Sequence, residues 1–169
     1  GSAEAELIRL APAPYAPPAL RRDTTLDVPE ALDESYPAQS STQEAFGRIL
    51  GRLSRLPVGD RVVTFSADVS VTTHLAGWIN RKGVYFPRAK PGFTAEGPQA
   101  VQWKESPAGQ HIELGIAEHN LFLALGAFGL THEQSGTTLL PIGTLYDPFV
   151  TRGLDALYHA LYAGGRFIV

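Results

Sequence analysis

Apolar residues recur along this chain with two different periods, and the switching between them predicts the order of its elements. Phe46, Ile49, Leu50 and Leu53 repeat at three- and four-residue steps, which places them on one face of a helix. Ser41 followed by Glu44 is a capping-box start, and Pro57 with Gly59 is a stop, so a helix is expected over 41–55. The β-rich run 61–65 predicts a strand, the turn formers Ser66, Ala67 and Asp68 end it, and 71–78 reads as helical. Ile112, Leu114 and Ile116 then alternate as one face of a strand over 112–116. Leu121, Phe122, Leu125 and Phe128 return to helical spacing over 117–130. A strand at 137–142, a helix at 148–162 and a terminal strand at 166–169 complete the series. Strands alternating with helices imply an α/β fold: a doubly wound, mostly parallel sheet with helices on both faces.

Two stretches carry neither period. Between 81 and 107, glycines, prolines and scattered charges predict a surface excursion with at most a short strand near 84–86. Residues 1–39 are polar and irregular around Pro12, Pro14, Pro17 and Pro18, whose locked φ favours extended polyproline conformation. That segment reads as an interdomain linker or as an arm docked through Leu7, Ile8, Leu10 and Leu20, and the folded domain as 40–169. The chain opens on Gly1-Ser2, contains no methionine and stops inside an apolar strand, so a piece of a longer protein, truncated at its C-terminal end, is expected.

Composition narrows the functional classes. With 169 residues, 44% of them hydrophobic and 18% charged, the chain can bury one complete core. A net charge of −3 gives no basic footprint for nucleic acid, and no apolar run is long enough to span a membrane. The absence of cysteine removes disulfides, thiolate nucleophiles and cysteine-held metals, in keeping with a reducing cytoplasm. The five histidines, at 74, 111, 119, 132 and 159, lack paired metal-ligand spacing, and no metal site is expected within the chain.

The chemistry-bearing stretch is Gly115-Ile116-Ala117-Glu118-His119, where a strand runs into a helix with a carboxylate in its first turn. A glutamate there is also stabilised by the helix dipole without any catalytic role. In an open parallel sheet, however, ligands gather beyond the carboxyl ends of the strands. That rim would hold Asp68, Glu118 and the loop after Ile142. Structural roles compete at each position: an Asx turn or cap for Asp68, strand core for Ile116, and general core packing for Tyr146 and Phe149.

Three patterns resemble the pyrimidine-binding domain of thiamine-diphosphate enzymes of the transketolase superfamily. Ser66-Ala67-Asp68-Val69 resembles the Ser-Ala-Asp-Leu turn, and Gly115-Ile116-Ala117-Glu118-His119 the Gly-Ile-Arg-Glu-His segment. The stretch 141–149, with Tyr146 and Phe149, resembles the loop whose aromatics lie against the cofactor pyrimidine. Across 41–169 their order and separation are most similar to the homodimeric pyruvate dehydrogenases, although Ala117 stands where those read Asn and His119 matches transketolase instead. The resemblance implies thiamine diphosphate as cofactor and Glu118 as the acid that drives its aminopyrimidine towards the imino tautomer. It implies Ile116 as the apolar prop under the bent cofactor, Tyr146 and Phe149 as its ring contacts, and Asp68 beside it. The resemblance further implies that the diphosphate and Mg2+ are held by a domain absent from this chain, in which the family's Gly-Asp-Gly segment does not occur. Also implied are a homodimer, a 2-oxoacid substrate and a lipoyl-bearing acyltransferase partner, with the isolated chain inactive. The alternatives are a transketolase moving two-carbon units between sugar phosphates and a non-catalytic dimerisation domain.

Overall fold

The computed structural model describes residues 1–10, 23, 25–32, 35–88 and 101–169. Its centre is strand β1 (Val62–Ser66), which pairs along its whole length with β5 (Leu140–Thr144), from Val62 opposite Leu140 to Ser66 opposite Thr144. On its other side β1 pairs with β4 (His111–Glu113), and β4 with β2 (Val84–Tyr85), which in turn carries β3 (Glu105–Ser106) at the edge. Every pairing is parallel, and the order β3-β2-β4-β1-β5 shows the crossovers of a doubly wound sheet.

The alternation of β1 separates two cores. Val62 points to the face covered by α2 (Thr42–Leu53) and α3 (Ala76–Lys82), where it packs among Leu50, Leu75, Trp78, Ile79 and Ile142. Phe65 points to the opposite face, covered by α4 (Glu118–Gly129) and α6 (Leu154–Tyr162), and meets Leu121, Phe122, Leu125 and Ala156. The expected α/β architecture with helices on both faces is therefore the observed one.

Several boundaries differ from the sequence expectation, each for a local reason. The helix expected at 71–78 is a hydrogen-bonded turn followed by α3, because His74 takes φ +60° and breaks the helical run. The strand expected to reach Ile116 ends at Glu113, and Gly115, at φ +69°, turns the chain out of the sheet. The strand expected at 137–142 sits at Leu140–Thr144, where it matches the full length of β1. The helix expected at 148–162 opens as a 3-10 turn, Asp147–Gly153, before α6. A short helix α5 (Thr131–Gln134) follows α4, and the terminal strand reduces to one parallel bridge between Ile142 and Ile168.

The excursion supplies two strands rather than one, β2 and β3; its residues 89–100 lie outside the described residues. Near the N-terminus, Ala3–Leu10 forms helix α1, with Leu7, Ile8 and Leu10 all more than 70% exposed. The proline run and Leu20 lie outside the described residues. Asp23 bridges to Thr137, and its carboxylate pairs with Arg61.

Candidate functional site

Because all five strands run in parallel, their carboxyl ends share one rim, and the loops leaving β1, β4 and β5 bring the candidate residues there. The loop after β4 gives up a conventional helix start. Ala117, the residue before α4, has φ −150° and ψ 72° and offers no side-chain cap, so α4 begins directly on Glu118. Glu118 is buried, with 4% of its surface exposed, and its two carboxylate oxygens lie 3.4 and 3.5 Å from Nη1 of Arg152.

Arg152 joins this carboxylate to the aromatic loop. Its guanidinium lies 4.2 Å from the ring centroid of Phe149, within cation–π range, and the Phe149 ring is 6.1 Å from that of Tyr146. The Tyr146 hydroxyl is 2.5 Å from Oγ1 of Thr72, which ties the β5 loop to the turn after β1. Glu118, Phe149 and Tyr146 thus form one connected group. A cavity of about 460 Å³ opens beside the aromatic pair, lined by Gln43, Thr72, Thr73, Tyr146, Asp147 and Phe149 among others; Glu118 is not in its lining. The 3-10 turn crosses α4 closely at Gly153, where a Cβ would stand 2.5 Å from Phe122 Cδ2 and 3.0 Å from the Glu118 carbonyl oxygen. That contact lets Arg152 reach Glu118.

Asp68 and Ile116 stand apart from the group. Asp68 is exposed, takes φ +63° and donates its backbone N–H to Glu113 Oε1 at 2.8 Å. Its own carboxylate has no hydrogen-bond partner among the described residues, so the Asx-turn alternative does not describe it. Ile116 is not strand core: it is 73% exposed on the Gly115 loop.

Three side chains of the rim escaped the sequence reading. Arg152 is three residues beyond Phe149, the spacing of neighbours on one helical face, and that was the available signal. Glu113 shares a strand face with His111, whose ring is fully buried. His111 Nδ1 lies 2.9 Å from Thr64 Oγ1 and Nε2 lies 3.3 Å from Glu113 Oε2. Burial works against ionisation of Glu113, but the hydrogen bond from His111, the Asp68 N–H, the charge of His111 and Ser70 together hold its carboxyl below the usual glutamate range. The third is Asp155, whose Oδ1 is 3.2 Å from Nδ1 of His119.

A parallel sheet with a carboxylate and an aromatic pair at its carboxyl rim defines an α/β domain of the doubly wound class. Residues 29–166 match the model of the pyruvate dehydrogenase E1 component middle domain, and the chain belongs to that family. It is also similar to the pyruvate dehydrogenase E1 component of Pseudomonas aeruginosa, 27% identical over 161 residues that cover 88% of this chain and 18% of the relative. The chain thus spans less than a fifth of that relative's length. No helix among the described residues is long and apolar enough to cross a membrane.

Proposed function

We propose that this domain provides the pyrimidine side of a thiamine-diphosphate site in a longer 2-oxoacid dehydrogenase, with Glu118 acting on the cofactor ring. The reading rests on one arrangement: Glu118 and the Tyr146–Phe149 pair meet through Arg152 on the carboxyl rim of a domain from this family. Tyr146 and Phe149 offer flat apolar faces that suit a heteroaromatic ring and exclude water from it. Ile116, held out on its loop, offers an apolar prop, and Asp68 lies at the end of β1 on the same rim.

The charge of the rim fits the pyrimidine end of the cofactor and not its diphosphate. Asp68, Glu113 and Asp147 are acidic, and Arg152 is engaged by Glu118. A separate domain therefore holds the diphosphate with its Mg2+. When bound, thiamine diphosphate supplies a nucleophilic carbon that attacks the 2-oxo group. Glu118 holds and releases a proton at its carboxylate oxygens, and its burial keeps bulk water from competing for that hydrogen bond. Arg152 orients the carboxylate.

In the whole protein the reaction is oxidative decarboxylation of a 2-oxoacid, with the acyl group passed to a lipoyl-bearing acyltransferase component. The outer faces of α4 and α6 expose Leu123, Tyr158, Leu161 and Tyr162, the last 94% exposed, which supports a homodimer closing over this side. A cytoplasmic setting accords with the cysteine-free sequence.

Cofactor titration of the full-length protein tests the reading. Tyr146→Ala and Phe149→Ala should each weaken thiamine diphosphate binding by about tenfold, the effect of losing a buried aromatic contact. Unchanged affinity in both variants would overturn the assignment. The 169-residue chain alone should bind the cofactor more weakly than micromolar and decarboxylate nothing.

A further inference from the structure

At the opposite edge of the sheet, where strands begin, α2 and α3 flank an open cavity of about 430 Å³. Both helices lead straight into strands, α2 through a 3-10 turn into β1 and α3 into β2, so their C-terminal halves stand at the amino edge. Arg48, Arg52 and Arg55 reach the cavity from the α2 side and Arg81 from α3. Four of the chain's 14 basic residues thus line one cavity of a protein with net charge −3, and among the described residues no acidic side chain lines it.

The helix dipoles account for only part of this. A basic residue near each helix C-terminus is ordinary, which covers Arg52 and Arg81. Arg48, in mid-helix, pairs with Glu44 at 3.2 Å, whereas the guanidinium groups of Arg52, Arg55 and Arg81 have no partner among the described residues. Like charges held around one concavity repel each other, and a bound anion relieves that repulsion.

We propose that this cavity is a binding site for a small multivalent phosphate compound. Guanidinium forks match phosphate oxygens bidentately, and several converging on one space select for charge density over a single negative charge. Among the described residues no aromatic side chain lines the cavity, so none of them would stack a nucleobase. The described lining is also without a large apolar side chain, which disfavours a polypeptide that docks through a hydrophobic anchor. Its volume falls within the range of small-molecule sites. This site lies across the sheet from Glu118 and is independent of the proposed thiamine chemistry.

The test is calorimetric titration of the 169-residue chain with inorganic tripolyphosphate at two salt concentrations. Saturable one-to-one binding that weakens with salt is expected, and Arg52→Gln/Arg81→Gln should weaken it at least about tenfold per charge removed. Arg166→Gln, on a residue that does not line the cavity, should leave it unchanged, and thermal melting of all variants should show intact folding, as expected for exposed positions. Absence of saturable binding, or equal binding by the double variant, would overturn the proposal. So would a hexaglutamate peptide binding more tightly than tripolyphosphate, which would assign the cavity to an acidic protein segment.

Discussion

Helices α2 and α4 are both twelve residues long and both carry a glutamate in the first turn, yet they begin in opposite ways. At α2, Ser41 has extended backbone and its hydroxyl accepts the Glu44 N–H at 3.0 Å, while the Glu44 carboxylate turns to Arg48. At α4 there is no capping side chain, the preceding Ala117 sits at an unusual φ and ψ, and Glu118 is buried against an arginine from another element. The first start serves the helix. The second forgoes a stabilising cap and fixes a carboxylate at the rim, which is the expected signature of a position shaped by something other than stability.

Substitutions should separate these two starts. The largest effect should come from Glu118→Gln in the full-length protein, which keeps the shape and a hydrogen bond but removes the exchangeable carboxyl proton. Decarboxylase turnover should fall by about 10²–10⁴-fold, the usual contribution of general acid–base groups, with thermal melting little changed. Near-normal turnover would make the α4 start as ordinary as that of α2. Next in size is Gly153→Ala, whose new Cβ would meet Phe122 and the backbone of Glu118 and His119. Overpacking there should cost about 1–3 kcal/mol in urea denaturation and shift the first turn of α4.

The α2 start gives the complementary result. Ser41→Ala should lower stability by about 1 kcal/mol, read by the urea midpoint, and leave cofactor binding untouched. The smallest effect concerns acid stability. Since the folded-state pKa of Glu113 is lowered from 4.5, its contribution is present above that value and is lost as pH falls through the folded-state pKa. Glu113→Gln should therefore flatten the stability profile below about pH 4.5, measured by melting temperature against pH. An identical profile in wild type and variant would detach Glu113 from the turn that holds Asp68.

What the sequence disclosed follows the same division. The α2 start was legible because Ser41, Glu44 and the apolar repeat act within a dozen residues of each other. The strand β1 and the core of α4 were legible for the same reason, since periodicity is a local property. The end of β4 was not, because three apolar residues in alternation continue the pattern past Glu113 while Gly115 turns the backbone away. The Arg152–Glu118 pair spans 34 residues and depends on how the 3-10 turn crosses α4, which no local pattern encodes. Strand β3 was missed because two residues, Glu105 and Ser106, carry too little pattern to read. The arginines of the amino-edge cavity are spread over residues 48–81, and the packing of α2 against α3 gathers them.

The bridge between Ile142 and Ile168 has a consequence for colloidal behaviour. Gly143 donates its N–H to the Ile168 carbonyl at 2.9 Å, and Ile168 donates its own to the Pro141 carbonyl at 3.0 Å. These two bonds occupy the backbone groups that β5 would otherwise present along its outer side, and Pro141 has no amide hydrogen to offer there. A free strand edge is a template for pairing with another molecule, and here a few residues act as a guard rail against cross-molecular sheet growth. The same segment lays Phe167 on the core of Phe65, Leu121, Phe122 and Leu125, so shielding the edge and packing the fold fall to the same few residues.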